Sequence, residues 1–257
     1  MGSTVTCPVV TEDLDRDPSR DLWEVYADWW IEGFTSGADT EYEDQIIPLA
    51  AHELSGAARV LDIGCGDGQI SRVLAANGAS VVGVDPTWNQ ISVAATRAGG
   101  PVFARATASE LPFTDASFDA VLACLVFEHI DAVDEAIAEI ARVVKPGGRF
   151  SFFLNHPLLQ TPGSGWIDDH MVDPPEQYWR VGPYLVETDA VEEVEQGVFI
   201  RFVHRPLSRY VNTMIEHGFQ LERMLEPAPP PSFLALAPEY PAGATIPRLL
   251  YLRLRRT

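Results

Sequence analysis

A chain of 257 residues that is 46% hydrophobic and 21% charged can bury a full core, as one large domain or as a domain with a sizeable insertion. Its formal net charge of −19, with Lys145 as the only lysine, argues against a nucleic-acid partner, since polyanions are bound through Lys and Arg that neutralise phosphates; the acid reads as solubility. No run approaches the roughly 18 apolar residues of a membrane span, and the three dispersed cysteines suggest neither a disulfide framework nor a metal site.

The opening stretch MGSTVTCPVVTEDLDRD lacks a basic start followed by an apolar run, so no secretory signal is expected and a cytoplasmic home is the simplest. Residues 1 to about 20 have no period and read as mobile. DLWEVYADWWIEGF then predicts a helix with Trp23, Tyr26 and Trp30 on one face, and EYEDQIIPLAAHEL predicts a second.

From Arg59 the chain alternates strand and helix. RVLDIG, SVVGVD, PVFARAT, FDAVLACL and RFSFFLN read as five strands, with helices over QISRVLAANG, NQISVAATRAGG and VDEAIAEIARVV. This rhythm implies a parallel sheet with helices on both faces, and a ligand site at the strands' carboxyl ends where strand order reverses. After Asn155 the rhythm stops. HPLLQTPGSGWIDDHMVDPPEQYWRVGPY has no sustained period, GVFIRFVHR resumes as a strand, SRYVNTMIEHGF as a helix, and QLERMLE and RLLYLRLRR as two last strands. The expected division is an N-terminal helical segment at 1–56 that serves as a lid and a main domain at 57–257, with an aromatic-rich lid insertion after the fifth strand at about 156–198.

VLDIGCGDGQ places Gly64, Gly66 and Gly68 between a strand and a helix, where bare backbone lets a ligand approach and helix N–H groups face the same space. Two ligand classes compete. The dinucleotide fingerprint GxGxxG holds a pyrophosphate, but here the third small residue comes one place early. Asp62 and Asp67 also fit badly around phosphate oxygens and well around an α-ammonium and a sulfonium. S-adenosylmethionine is therefore the expected ligand, with NAD as the rival. Asp85, about 20 residues past the glycines, can accept hydrogen bonds from ribose hydroxyls; it can also be a turn or cap residue.

These residues carry a resemblance. VLDIGCGDG, VVGVDPT, ELPFTDASFDAV and VVKPGGRF, in that order across about Val60 to Leu154, resemble the motifs of the class I S-adenosylmethionine-dependent methyltransferases, in particular the small-molecule branch similar to ubiquinone-biosynthesis methyltransferases. The resemblance implies a Rossmann-like, seven-stranded, mostly parallel sheet with an antiparallel final strand. It implies that Asp62, Gly64, Cys65 and Gly66 line the methionine end of the cofactor. Asp85 would take the ribose, with Pro86 near the adenine, Ala108 and Ser109 at the adenine edge, and Cys124 with Leu125 meeting the methionine part by main chain. The family often has Asp where this chain has Thr107, which leaves the adenine amino group a weaker acceptor.

Methyl transfer needs alignment, exclusion of water and sometimes removal of a proton. His156 and His129 are the candidate bases, each with a structural alternative as a backbone-bonding residue. His204 and Arg205 could bind an acceptor's carboxylate or enolate, or form an internal salt bridge. Trp30 and Trp166 are candidate acceptor contacts, with the insertion as a cover. The acceptor is expected to be a small molecule. A non-catalytic S-adenosylmethionine-binding protein remains the alternative, and the sequence leaves a homodimer open.

Overall fold

Val60, Leu61 and Ile63 form a strand buried on both faces, as a parallel strand flanked by helices must be. In a computed structural model, which describes residues 21–236, 238 and 241–257, this strand lies inside a seven-stranded sheet. The first 20 residues, read above as mobile, lie outside the described residues.

In chain order the elements are α1 (Leu22–Val25), α2 (Ala27–Phe34), α3 (Ile47–Glu53), β1 (Arg59–Ile63), α4 (Gln69–Ala76), β2 (Ser80–Asp85), α5 (Trp88–Thr96), β3 (Val102–Arg105) and β4 (Phe118–Cys124). There follow α6 (Val133–Val143), β5 (Val144–Asn155), β6 (Gly165–Asp169), β7 (Glu176–Arg180), β8 (Thr188–Glu195), β9 (Val198–His204), α7 (Leu207–Glu216), β10 (Phe219–Leu225), α8 (Pro231–Leu234) and β11 (Leu249–Arg256).

The sheet runs β3-β2-β1-β4-β5-β11-β10. Its β1–β5 core is parallel, and β11 runs antiparallel to both β5 and β10. The expected architecture is borne out. The period of two along β1 builds a core on each face: Val60 joins Ile46, Leu54, Ile70 and Leu74 on one side, while Leu61 and Ile63 join Ile137, Ile140, Tyr210 and Met214 on the other. α6 reaches the second core through Val133, Ala136, Ile137, Ile140 and Ala141, a helical stripe.

Three local expectations are corrected. The first tryptophan-rich helix breaks at Tyr26 (φ −106°, ψ 21°), and Trp23 meets Trp30 edge-on across the break. The second helix opens with a π-helical stretch at Tyr42–Ile46 before α3. Pro48 in the first turn of α3 has no N–H to bond the turn before it, which favours the wider winding there. The insertion is not structureless: it forms two antiparallel hairpins, β6–β7 and β8–β9. Their period was hidden because both faces of β7 and much of β8 remain open to water. Gly197 (φ 80°) turns the second hairpin.

Candidate active site

Strand order reverses at β1, which has β2 on one side and β4 on the other, and the carboxyl ends there open a crevice. A cavity of about 400 Å³ fills it, within the roughly 300–1,000 Å³ range of small-molecule sites. The loop 64–67 and Asp62 line one side, Asp85–Thr87 and Gln90 another, Ala106–Ser109 a third, and Cys124–Val126 with 129–132 a fourth. Trp23, Trp30, Phe34 and Tyr42 form an aromatic roof. Trp30 stacks on Phe34 at 4.4 Å and meets Trp23 edge-on at 5.4 Å.

All three loop glycines are left-handed: Gly64 at φ 68°, Gly66 at 53° and Gly68 at 82°. Their surroundings differ. A Cβ on Gly64 would lie 2.3 Å from Val126 Cγ2 and one on Gly68 2.4 Å from Phe103 Cζ, so those two glycines serve packing. A Cβ on Gly66 would meet nothing closer than 3.7 Å and would project toward Gln90 and Trp30. Gly66 is thus the glycine that leaves room for a ligand.

The carboxylates are arranged by backbone. Asp85 accepts the Gly66 N–H at 3.0 Å and the Thr87 N–H at 2.8 Å, which fixes both of its oxygens against the loop. Asp62 accepts Ser71 Oγ–H at 2.6 Å. Burial pushes Asp62 up to about 7, assisted by the neighbouring Asp85, and burial also raises Asp85. Two buried carboxyls strained toward neutrality favour a cationic ligand, which would let them ionise. Asp67 lines the cavity too, but its carboxylate is held by Arg97 and Arg72. Those guanidiniums neutralise it, so of the two carboxylates read from sequence as suited to cationic groups only Asp62 stays open to a ligand, with Asp85 beside it. The thiols of Cys65 and Cys124 are pushed well up, chiefly by burial, and stay protonated walls. Leu125 adopts φ 54°, which turns its backbone at the cavity edge.

Of the residues singled out from sequence, Trp30, Asp62, Gly64, Cys65, Gly66, Asp85, Pro86, Ala108, Ser109, Cys124, Leu125 and His129 come together around this one cavity, with Thr107 beside Ser109. Four do not line it. His156 is buried, its Nδ1 accepting the Leu158 N–H at 3.1 Å and its Nε2–H directed at Glu226 at 2.8 Å, so both ring nitrogens are engaged in structure. His204 donates from Nε2 to the Tyr184 carbonyl at 2.8 Å. Arg205 clamps the carbonyls of Phe127 and Asp131, holding the loop after β4 rather than offering itself to a ligand. Trp166 packs edge-on against Trp179 in the first hairpin.

His129 lines the cavity with Nδ1 bonded to the Arg201 carbonyl at 2.9 Å. A carbonyl demands a donor, so the ring carries its proton on Nδ1 and keeps Nε2 as an acceptor. Burial lowers its pKa to about 4, so it is neutral at physiological pH. The sequence reads the aromatic N-terminal segment as a lid but singles out only Trp30 in it, not Trp23, Phe34 or Tyr42, and it misses Gln90, a polar residue placed on the buried face of α5 beside Ile91 and Ala94. That misplacement against the helical period was the available signal.

Fold and site together define an α/β protein with a Rossmann-like sheet and a ligand-sized cavity where its strand order reverses. Residues 61–152 match the family described as "Methyltransferase domain", which bears out the resemblance read in the motifs. The chain is 46% identical over 105 residues to a ubiquinone biosynthesis O-methyltransferase of Rhizobium rhizogenes, an alignment covering 39% of this chain and 42% of that protein. The chain therefore spans less than half the length of this curated relative. A solved S-adenosylmethionine-dependent methyltransferase from Mesorhizobium loti is similar with a TM-score of 0.69 and 26% identity, covering 86% of this chain and all of that one (100%). A putative methyltransferase of the same kind from Listeria monocytogenes shares the fold, with a TM-score of 0.69 and 23% identity over 84% of this chain and 96% of that one.

Proposed function

We propose that the chain binds S-adenosylmethionine in this cavity and transfers its methyl group to a small-molecule acceptor. The observation that carries the reading is Asp85: a buried carboxylate at the end of β2, locked by two backbone N–H groups beside a glycine loop, in the fold and family segment of methyltransferases. The bound cofactor supplies a methyl already activated on a sulfonium. Asp62 and Asp85 would hold its cationic and hydroxyl groups, Gly66 would leave it space, and Ala108 and Ser109 would border the adenine. We further take residues 1–56 as a segment that roofs the site, 57–257 as the methyltransferase domain and the insertion at about 156–198 as an outer cover. A cytoplasmic location, no nucleic-acid partner, and a monomer or homodimer complete the reading.

The cavity lining includes five aspartates and no Lys or Arg among the described residues. An acceptor bearing a carboxylate or phosphate would find no counter-charge there, so the acceptor is neutral or cationic, with the tryptophans covering a flat apolar face. With Nδ1–H committed, His129 Nε2 can accept a hydrogen bond from an acceptor hydroxyl and orient it. At a pKa of about 4 it is too weak a base to hold the proton at neutral pH. The remaining work is alignment and exclusion of water by the roof. The test is transfer of labelled methyl from S-adenosylmethionine to paired aromatic acceptors. Neutral phenols and amines should be methylated at least about tenfold faster than their carboxylated analogues. Preference for the carboxylated partner would overturn this choice of acceptor.

A further inference from the structure

We infer that Gln90 and Trp30 form a donor–acceptor pair that reads the ribose of the cofactor, so that the N-terminal helices complete the cofactor site. The inference rests on the proposed S-adenosylmethionine reading and adds residues that no motif of the chain supplies.

Gln90 is 2% exposed and lines the cavity. Its Nε2 donates to the Ala27 carbonyl on α2 at 3.4 Å, and its Oε1 is buried without a partner among the described residues. The orientation of the amide follows from chemistry. The Ala27 carbonyl needs a donor, so the NH₂ group points to α2 and the oxygen points into the cavity. An unpaired buried carbonyl of this kind is unfavourable unless something fills its place.

Where it points is defined by Gly66. The position a Gly66 Cβ would occupy lies 3.7 Å from Gln90 Oε1 and 3.8 Å from Trp30 Nε1. Trp30 stacks on Phe34, which fixes the ring, and no described residue accepts its indole N–H. An acceptor-only group and a donor-only group therefore converge on one open space over Gly66. The amide of that same glycine is held by Asp85 at 3.0 Å, so the space adjoins the carboxylate proposed for the ribose. A vicinal diol matches the set. Its two hydroxyl hydrogens can go to Asp85 and to Gln90 Oε1, and a hydroxyl lone pair can accept from Trp30.

Calorimetric titration with S-adenosylhomocysteine and its 2′-deoxy and 3′-deoxy analogues tests this. The intact protein should bind S-adenosylhomocysteine and lose about tenfold in affinity for at least one deoxy analogue, the size of one hydrogen bond to a buried partner. Gln90→Met should lose about tenfold for S-adenosylhomocysteine and become indifferent to one of the deoxy changes. Equal loss for all three ligands would mean that Gln90 only anchors α2, and unchanged binding would mean that it does neither; both overturn the inference. If Gln90→Met melts below the assay temperature, Trp30→Phe keeps the ring on Phe34, removes the N–H, and is judged by the same comparison. Failure of the intact protein to bind S-adenosylhomocysteine is a separate result that overturns the cofactor reading itself.

Discussion

Glu128 lies next to His129, buried, with one oxygen held by Asn155 Nδ2 at 2.8 Å and the other without a partner among the described residues. Burial raises its pKa to about 7, against about 4.3 in an unfolded chain. Between those values the folded state keeps a proton the unfolded state has released, so this residue's contribution to stability falls as pH rises through the window. His129 acts oppositely: its pKa of about 4 means that its contribution is lost as pH falls below the unfolded value of about 6.5. Replacing only Glu128 separates the two. Glu128→Gln keeps an acceptor for Asn155 and removes the titration. Thermal unfolding should give a wild-type-like Tm at pH 5 and a higher Tm at pH 8, a gain on the order of 1–3 kcal/mol. A lower Tm at pH 8 would mean that the ionised carboxylate is held by a partner and helps the fold. At this scale the glycines and Asp85 were legible in the sequence because their meaning is local: a strand, a turn and a spacing. Gln90, His156 and Arg205 were not, because their partners lie on distant segments that only the fold brings near.

The strands of the sheet were legible as elements because buried parallel strands are nearly continuous apolar runs, as in β4, where Ala120 to Cys124 are all buried. The hairpins of the insertion were not, since TDAVEEVE is largely wetted and its alternation carries little hydrophobic contrast. Their placement has a consequence for Trp166, which packs on Trp179 at 5.5 Å and does not line the cavity. Trp166→Ala should destabilise the β6–β7 hairpin by about 1 kcal/mol while changing S-adenosylhomocysteine affinity by less than about twofold. A tenfold loss of affinity, read in the same titration, would mean that Trp166 touches the cofactor directly, and that the hairpin is not an outer cover.

Across the whole molecule, the N-terminal helices are tied to both sides of the cavity. Glu24 accepts the N–H groups of Trp88 at 2.7 Å and Asn89 at 3.1 Å at the start of α5, and Trp29 Nε1 donates to Glu195 on β8 at 2.6 Å. The aromatic roof is thereby joined to α5 and to the second hairpin. No helix among the described residues is long and apolar enough to cross a membrane. The charge of −19 recurs inside the cavity as carboxylates with no lining Lys or Arg among the described residues, which is the electrostatic setting of a cationic ligand. The measurement that tests this directly is calorimetric titration of the protein with S-adenosylhomocysteine and S-adenosylmethionine, alongside Asp85→Ala with its fold verified by circular dichroism. Micromolar binding that weakens by about a hundredfold or more in the variant is the predicted result. Absence of binding to the intact protein, or equal binding by a folded Asp85→Ala, would contradict the account.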